Sequence, residues 1–239
     1  MTQLEWDFKS LGTLPTGGID GQECLHSSLT NPLTGEGLYC REYTATSSGA
    51  VFSTIQSSVD SGAYDITNTL EHYSIRAWVR IDVLDRSCGG IFIKGGDVGP
   101  LTTSPGYGYN LYFGGNNVRT IPTDFSITFS ANNASGYPGT DTLFLDNLDI
   151  SNPVGAAEWR RLRIDIKCLP HYDIVNCYMA DISLPNTWAL LTTQTIQSNF
   201  QAYIEPNIIG RNKIGYFICR RSTSPSSTYI DGFEVFKVV

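Results

Sequence analysis

Tyr73-Ser74-Ile75-Arg76-Ala77-Trp78-Val79-Arg80-Ile81-Asp82 is the stretch that decides the fold. Its apolar side chains fall at every second position: Tyr73, Ile75, Ala77, Val79 and Ile81. Ser74, Arg76, Trp78, Arg80 and Asp82 take the opposite face. A period of two belongs to a half-buried β-strand. The apolar face needs a second layer to cover it, which predicts a sandwich of two sheets. The same alternation returns at Leu162-Arg163-Ile164-Asp165-Ile166-Lys167-Cys168, just after Trp159, and at Gly232-Phe233-Glu234-Val235-Phe236-Lys237-Val238.

Shorter strands are expected around these three. They are Leu4-Glu5-Trp6-Asp7-Phe8, Leu38-Tyr39-Cys40-Arg41-Glu42-Tyr43, Ala50-Val51-Phe52-Ser53-Thr54-Ile55, Gly90-Ile91-Phe92-Ile93-Lys94, Tyr107-Gly108-Tyr109-Asn110-Leu111-Tyr112-Phe113 and Asp124-Phe125-Ser126-Ile127-Thr128-Phe129. Residues 159–168 and 174–182 read as a hairpin around Pro170-His171-Tyr172-Asp173. Residues 131–153 are rich in Asn, Gly and Pro and read as a long loop. The nearest approach to a helix is residues 192–203, with Ile196, Phe200 and Tyr203 at helical offsets. Its β-branched Thr and Ile residues suit a strand as well. No composition shift marks a linker, so residues 1–239 are read as a single domain. At 239 residues, a domain of this kind removes roughly three quarters of its unfolded surface from water.

The chain carries 16 Lys and Arg against 23 Asp and Glu, a formal net charge of −7. That balance argues against nucleic-acid binding, which rests on neutralising phosphates. No apolar run reaches the length of a membrane span. Met1-Thr2-Gln3-Leu4-Glu5-Trp6-Asp7 has neither the basic nor the apolar region of a secretion signal. Reduced thiols are therefore expected at the six cysteines (24, 40, 88, 168, 177 and 219). Cys168 and Cys177 flank the expected hairpin, where they could face each other. No Cys-x-x-Cys pair points to zinc.

Taken together, Ser74-Ile75-Arg76-Ala77-Trp78-Val79-Arg80, Gly90-Ile91-Phe92-Ile93-Lys94-Gly95, Gly108-Tyr109-Asn110-Leu111-Tyr112-Phe113, Glu158-Trp159-Arg160-Arg161-Leu162-Arg163-Ile164-Asp165 and Tyr229-Ile230-Asp231-Gly232-Phe233-Glu234-Val235-Phe236 resemble the strands of the concanavalin A-like jelly roll, most closely its laminin G-like branch. The resemblance implies an all-β, two-sheet antiparallel sandwich. It also implies that residues 4–8 pair with residues 233–238, since the first and last strands of that family are neighbours. Such domains serve as lectins, glycanases, adhesion modules and virion parts, so the fold leaves the role open.

Glycanases of this architecture carry Glu-x-Asp-x-x-Glu, because retaining hydrolysis needs two carboxyls about 5 Å apart. The nearest match, Glu5-Trp6-Asp7-Phe8-Lys9-Ser10, ends in Ser. No nucleophile elbow or phosphate-cradling loop is present. His26, His72 and His171 each lie near a turn or a strand end. The expectation is that the chain is not an enzyme and needs no cofactor. Ca²⁺ is the one metal considered: Asp141, Asp146 and Asp149 offer hard oxygen ligands in one segment, and relatives of this fold hold Ca²⁺ on the sandwich rim.

Three surfaces remain as candidates. Arg76, Trp78 and Arg80 share a strand face with the expected face of Arg161 and Arg163, and Arg with Trp is typical of protein interfaces. The bland alternative is a solvated face with cross-strand ion pairs. Tyr107, Tyr109, Tyr112 and Tyr137 form an aromatic set suited to stacking on sugar rings. The 131–153 loop is the third. The expectation is a structural, interacting component of a virus particle, with a bacteriophage the favoured setting: a capsid decoration or cement protein, or a neck, tail or fibre part. Its partners would be other virion proteins or copies of itself in a homo-oligomer or lattice, with neither nucleic acid nor membrane. The alternative is a carbohydrate-binding lectin module with a glycan partner; a glycanase ranks below it.

Overall fold

The computed structural model describes residues 2–7, 25–26, 41–44, 49–56, 72–82, 87–95, 109–114, 127–131, 145–148, 157–169, 172–197, 213–220 and 227–238. Fourteen strands run through them: β1 (Thr2–Asp7), β2 (Leu25–His26), β3 (Arg41–Thr44), β4 (Gly49–Gln56), β5 (His72–Ile81), β6 (Ser87–Gly95), β7 (Tyr109–Gly114), β8 (Ile127–Ala131), β9 (Leu145–Leu148), β10 (Trp159–Cys168), β11 (Tyr172–Asp181), β12 (Ala189–Gln197), β13 (Lys213–Arg220) and β14 (Ser227–Val238). They form two antiparallel sheets. The larger has eight strands in the order β12-β11-β10-β5-β14-β3-β2, with β1 also paired to β14; the smaller runs β4-β13-β6-β7-β8-β9. This is the antiparallel jelly-roll sandwich expected from the sequence. No described segment is helical, and none is a helix long and apolar enough to cross a membrane.

The alternating stretches supply the core. Ile75, Ala77, Val79, Ile81, Leu162 and Ile164 are wholly buried, and Ile166 nearly so. β6 packs across the sandwich on β5, β10 and β14. It contributes Ile91, Phe92 and Ile93, while β7 contributes Leu111, Tyr112 and Phe113. The expected pairing of the chain's two ends is present, with Thr2 opposite Val238 and Leu4 opposite Phe236.

Four details depart from the sequence reading. Tyr112 is 2% exposed, so it cannot stack on a sugar. Its strand lies inside the small sheet, between Gly90 of β6 and Thr128 of β8. The segment with the weak helical offsets begins within β12, because Ile196 pairs with Asp173 and Gln197 with Tyr172. The 131–153 stretch contains β9, whose Leu148 and Leu145 pair with Ile127 and Phe129. Finally, Cys168 and Cys177 are buried and form no disulfide, in keeping with the expected reduced thiols, but they do not face each other. Their partners are Asp173 and Ile164, so the hairpin register sets them four rungs apart. Burial pushes the Cys177 thiol well above its ordinary value, which keeps it protonated and inert.

Gly90 is fixed by contact. A Cβ there would come within 2.6 Å of the Tyr112 Cα and closer still to the Leu111 carbonyl oxygen. Backbone cannot yield as a flexible side chain does. Gly90→Ala is expected to destabilise the protein by about 1–3 kcal/mol, the usual cost of overpacking, read as a lower urea midpoint. A midpoint equal to that of the wild type would mean that β6 and β7 lie farther apart than described.

Candidate functional site: an arginine–aromatic sheet face

The β5–β10 register builds the site. Arg80 faces Trp159, Trp78 faces Arg161, Arg76 faces Arg163, Ser74 faces Asp165 and His72 faces Lys167. All ten point away from the core, because each sits one residue off an inward apolar position. β14 extends the face with Tyr229 beside Arg80 and Glu234 beside Arg76. β11 extends it on the other side with Tyr178 beside Arg163. A kink in β14 makes the alignment work. The register shifts between Asp231 and Glu234, where Gly232 takes φ +54°. A Cβ at that position would lie 3.1 Å from Trp78 Cδ1, so glycine serves both the conformation and the contact.

The connection between β11 and β12 folds back over this face. Trp188 lies within 5.8 Å of the Arg76 guanidinium, 5.2 Å of Arg161 and 5.4 Å of Arg163, measured to the ring centroid. Arg161 holds the connection down: its Nη1 donates to the Pro185 carbonyl at 3.2 Å and to Asn186 Oδ1 at 3.3 Å. Its Nη2 pairs with Glu234 at 3.2 Å. Arg163 pairs with Asp165 through Nε at 2.7 Å and through Nη2, and stands 4.8 Å over the Tyr178 ring.

Arg76 differs from both. It has no ion pair or hydrogen bond among the described residues, and its Nε is buried without an acceptor. It rests 4.4 Å above the Phe236 ring. Burial, then repulsion from Arg163 and Arg161, pushes its pKa below the ordinary arginine value, with Glu234 and Asp165 offsetting part of the shift. An arginine still keeps its proton at neutral pH. Two guanidiniums and two carboxylates surround Arg76, so its own positive charge is left over. Tyr178 titrates above its ordinary range because of burial, then the nearby Asp165 charge; it stays a neutral phenol able to donate a hydrogen bond.

Arg76, Arg161 and Arg163, taken from the sequence as one face, are thus brought together. Trp78 is not the exposed anchor expected of it. It is 3% exposed and packs with Trp159, Tyr229 and Ile182 in a small cluster on the outward side of the sheet. Arg80 sits at the far end of the face, paired with Asp82 at 2.9 Å and 5.6 Å from the Tyr229 ring. One residue, Trp188, was missed, and His72 carries more than its strand-end position suggested. Trp188 lies in no alternating segment, and its one signal is a lone Trp following the Pro185-Asn186 turn. His72 opens β5, and its Nδ1 is buried without a partner. Of the alternative sugar-stacking set, Tyr107 and Tyr137 lie outside the described residues; Tyr109 is placed in β7 by its backbone alone. Asp141 and Asp149 also lie outside them, and Asp146 is placed within β9. Among the described residues no three His, Cys, Asp or Glu gather as a metal site would require.

No protein-family model and no curated protein matches the chain. Solved structures do. The alginate lyase Aly36B is 11% identical, with a TM-score of 0.49 over 93% of this chain and 97% of that one. The carbohydrate recognition domain of Emp46p, in a potassium-bound form, is 9% identical, with a TM-score of 0.41 over 87% and 92%. The exoplasmic/lumenal domain of VIP36, in a form bound to Ca²⁺ and Man3GlcNAc, is 10% identical, with a TM-score of 0.38 over 84% and 75%. The likeness concerns the fold, and no residue role passes across it. It nevertheless corrects one expectation. The missing second carboxylate after Asp7 does not make this chain a non-enzyme, because alginate lyases stand among the structures it resembles. Paired carboxylates mark glycoside hydrolysis, whereas other acid–base chemistry runs on His, Tyr or Lys.

Trp188 is expected to stabilise the face it covers. Trp188→Ala removes three cation–π contacts worth about 0.5–1 kcal/mol each at partly exposed sites. A loss on the order of 1–2 kcal/mol in urea unfolding is expected. An unchanged midpoint would show that the ring does not rest on the arginines in solution.

Proposed function

We propose that the outward face of the eight-stranded sheet binds an anionic glycan. Arg76 takes a carboxylate or sulfate of the chain, while the half-buried rings of Tyr178 and Trp188 flank the sugar. The observation that carries this is the leftover charge of Arg76. Arg161 and Arg163 are held by Glu234 and Asp165, and Arg76 alone of the three lacks a carboxylate among the described residues. A half-buried guanidinium with a buried, unpaired Nε gains more from an incoming anion than an exposed one does. In a protein of net charge −7, a local positive centre ringed by aromatics suits an acidic sugar better than a neutral one. The sugar-bound and glycan-cleaving proteins that share the fold are in keeping with a glycan partner.

Calorimetric titration tests this with a polyuronate, a sulfated polysaccharide and a neutral glucan. Wild-type protein is expected to bind at least one acidic chain and to bind the glucan weakly or not at all. Arg76→Gln is expected to lose roughly tenfold to a hundredfold in affinity, the worth of one charge-assisted hydrogen bond. The same mixtures, followed for new chain ends, report whether the bound chain is also cut. Absence of binding to every acidic chain removes the proposal.

A place in a virus particle is a second proposal, favoured by β12. That strand is the edge of the large sheet, and Ala189-Leu190-Leu191-Thr192-Thr193-Gln194-Thr195-Ile196-Gln197 carries no charge and no proline to block strand addition. Leu184 and Leu190 are exposed beside it. The occupant would be a second copy, pairing β12 with β12 about a two-fold axis. Light scattering that shows a monomer, together with purified particles lacking the chain, would remove it.

A further inference from the structure

Five cationic side chains stand on the outward face of β5 and β10: Arg76 and Arg80 on one strand, Arg161, Arg163 and Lys167 on the other. Three are matched by carboxylates. Arg80 pairs with Asp82, Arg161 with Glu234 and Arg163 with Asp165. Arg76 and Lys167 are left over. Lys167 is exposed, and it makes neither an ion pair nor a hydrogen bond among the described residues. Its neighbours in the chain, Ile166 and Cys168, are buried on the core side, so the alternation of the strand turns Lys167 outward.

The register explains why no acid meets Lys167. Across the sheet its row is Val238, His72, Lys167, Ile174 and Thr195, none of them a carboxylate. The next outward row is Phe236, Ser74, Asp165, Asn176 and Thr193. Its one acid, Asp165, is taken by Arg163. Arg76 stands opposite Arg163, and Lys167 lies four residues farther along β10, about 13 Å at the rise of a strand. Beside this path Asn176 is half-buried and Thr193 and Thr195 are exposed. Their amide and hydroxyl groups can exchange hydrogen bonds with sugar hydroxyls. In the other direction the face is covered. The 185–188 connection lies there, bonded to Arg161. Past it, the concavity lined by Arg80, Trp159, Arg160 and Asp181 holds its charges in internal pairs, Arg80 with Asp82 and Arg160 with Glu158 and Asp181.

We propose that Lys167 is a second anion subsite, and that an acidic glycan lies along β5 and β10 with one acidic group on Arg76 and a later one on Lys167. This rests on the reading of Arg76 as the first anion site. A single acidic sugar carries one charge and reaches one of the two cations. An oligosaccharide reaches both, and its second contact is then intramolecular. An exposed ammonium contributes less than a half-buried guanidinium. Lys167 therefore sets the direction of the chain and the length it must have, while Arg76 supplies most of the affinity.

The test is a titration of the full chain followed by two-dimensional ¹⁵N NMR, which reads weak and tight binding alike. The probes are two pairs: methyl glucuronide with a tetrauronate, and glucose 6-sulfate with a tetrasaccharide sulfated on every ring. In at least one pair the tetrasaccharide is expected to bind more tightly than the single sugar. Lys167→Gln, an exposed substitution, is expected to weaken that tetrasaccharide by about twofold to fivefold, the worth of one exposed charge contact, and to leave the single sugar as it was. Lys167→Arg is expected to restore the tetrasaccharide. A tetrasaccharide bound equally by wild type and Lys167→Gln, yet weakened in Arg76→Gln, overturns the subsite and leaves the Arg76 reading standing. Equal weakening of the single sugar and the tetrasaccharide in Lys167→Gln also overturns it, because a general charge effect would then account for the loss. A protein that binds none of the four probes removes both readings.

Discussion

The unbroken register of β10 on β5 is the constraint on which the rest of the structure depends. Nine consecutive pairs run from Trp159 opposite Arg80 to Lys167 opposite His72 without a bulge. Side chains on a strand alternate, so a slip of one residue would turn every side chain of the slipping strand over. If β10 slipped, Arg161, Arg163 and Lys167 would enter the core, and Leu162, Ile164 and Ile166 would face water. A buried, unpaired charge costs several kcal/mol, and three at once rival the whole stability of an ordinary domain. The alternation therefore holds the core together and gathers the arginines on one surface by the same act.

Three irregularities fall beside the face. β14 shifts register at Gly232 and so clears the Trp78 ring. β12 shifts against β11 between Cys177 and Tyr178, next to the connection that carries Trp188 over the guanidiniums. Ala157, at φ 58°, ties the start of β10 to the end of β5 through the Ile81 carbonyl. Each departs from ideal strand geometry beside an aromatic or charged group, which is where backbone irregularity concentrates in functional proteins.

What could be read from sequence follows the range of the forces involved. The cores of β5 and β10 were legible because period-two burial is local: Ile75 and Ile164 announce themselves within a few residues. The pairing of β1 with β14 was legible only through resemblance, since nothing local links Thr2 to Val238. The Arg76–Arg161–Arg163 face was legible as a face. Its covering was not, because Trp188 reaches it from another part of the chain. For the same reason alternation exposed Trp78, whereas the folded protein buries it under Arg161 and against Tyr229. Tyr112 misled in the opposite sense. In β7 the successive residues Leu111, Tyr112 and Phe113 are all buried, so alternation carries no information there. The concavity lined by Arg80, Trp159 and Asp181 was beyond reach, since its lining comes from the ends of β5, β10 and β11, which are distant in sequence.

The pairing of a local positive centre with a negative whole has a consequence for ionic strength. A basic protein on an acidic polymer loses affinity steeply as salt rises. Here the long-range term has the opposite sign. An anionic chain of the kind proposed would feel the repulsion of a body of charge −7 only within about a Debye length, near 8 Å at physiological salt. The attraction to Arg76 begins inside that distance, at a half-buried group that mobile ions screen poorly. Added salt thus weakens the repulsion before it weakens the contact. For such a ligand association should quicken, not slow, over the first increments of salt.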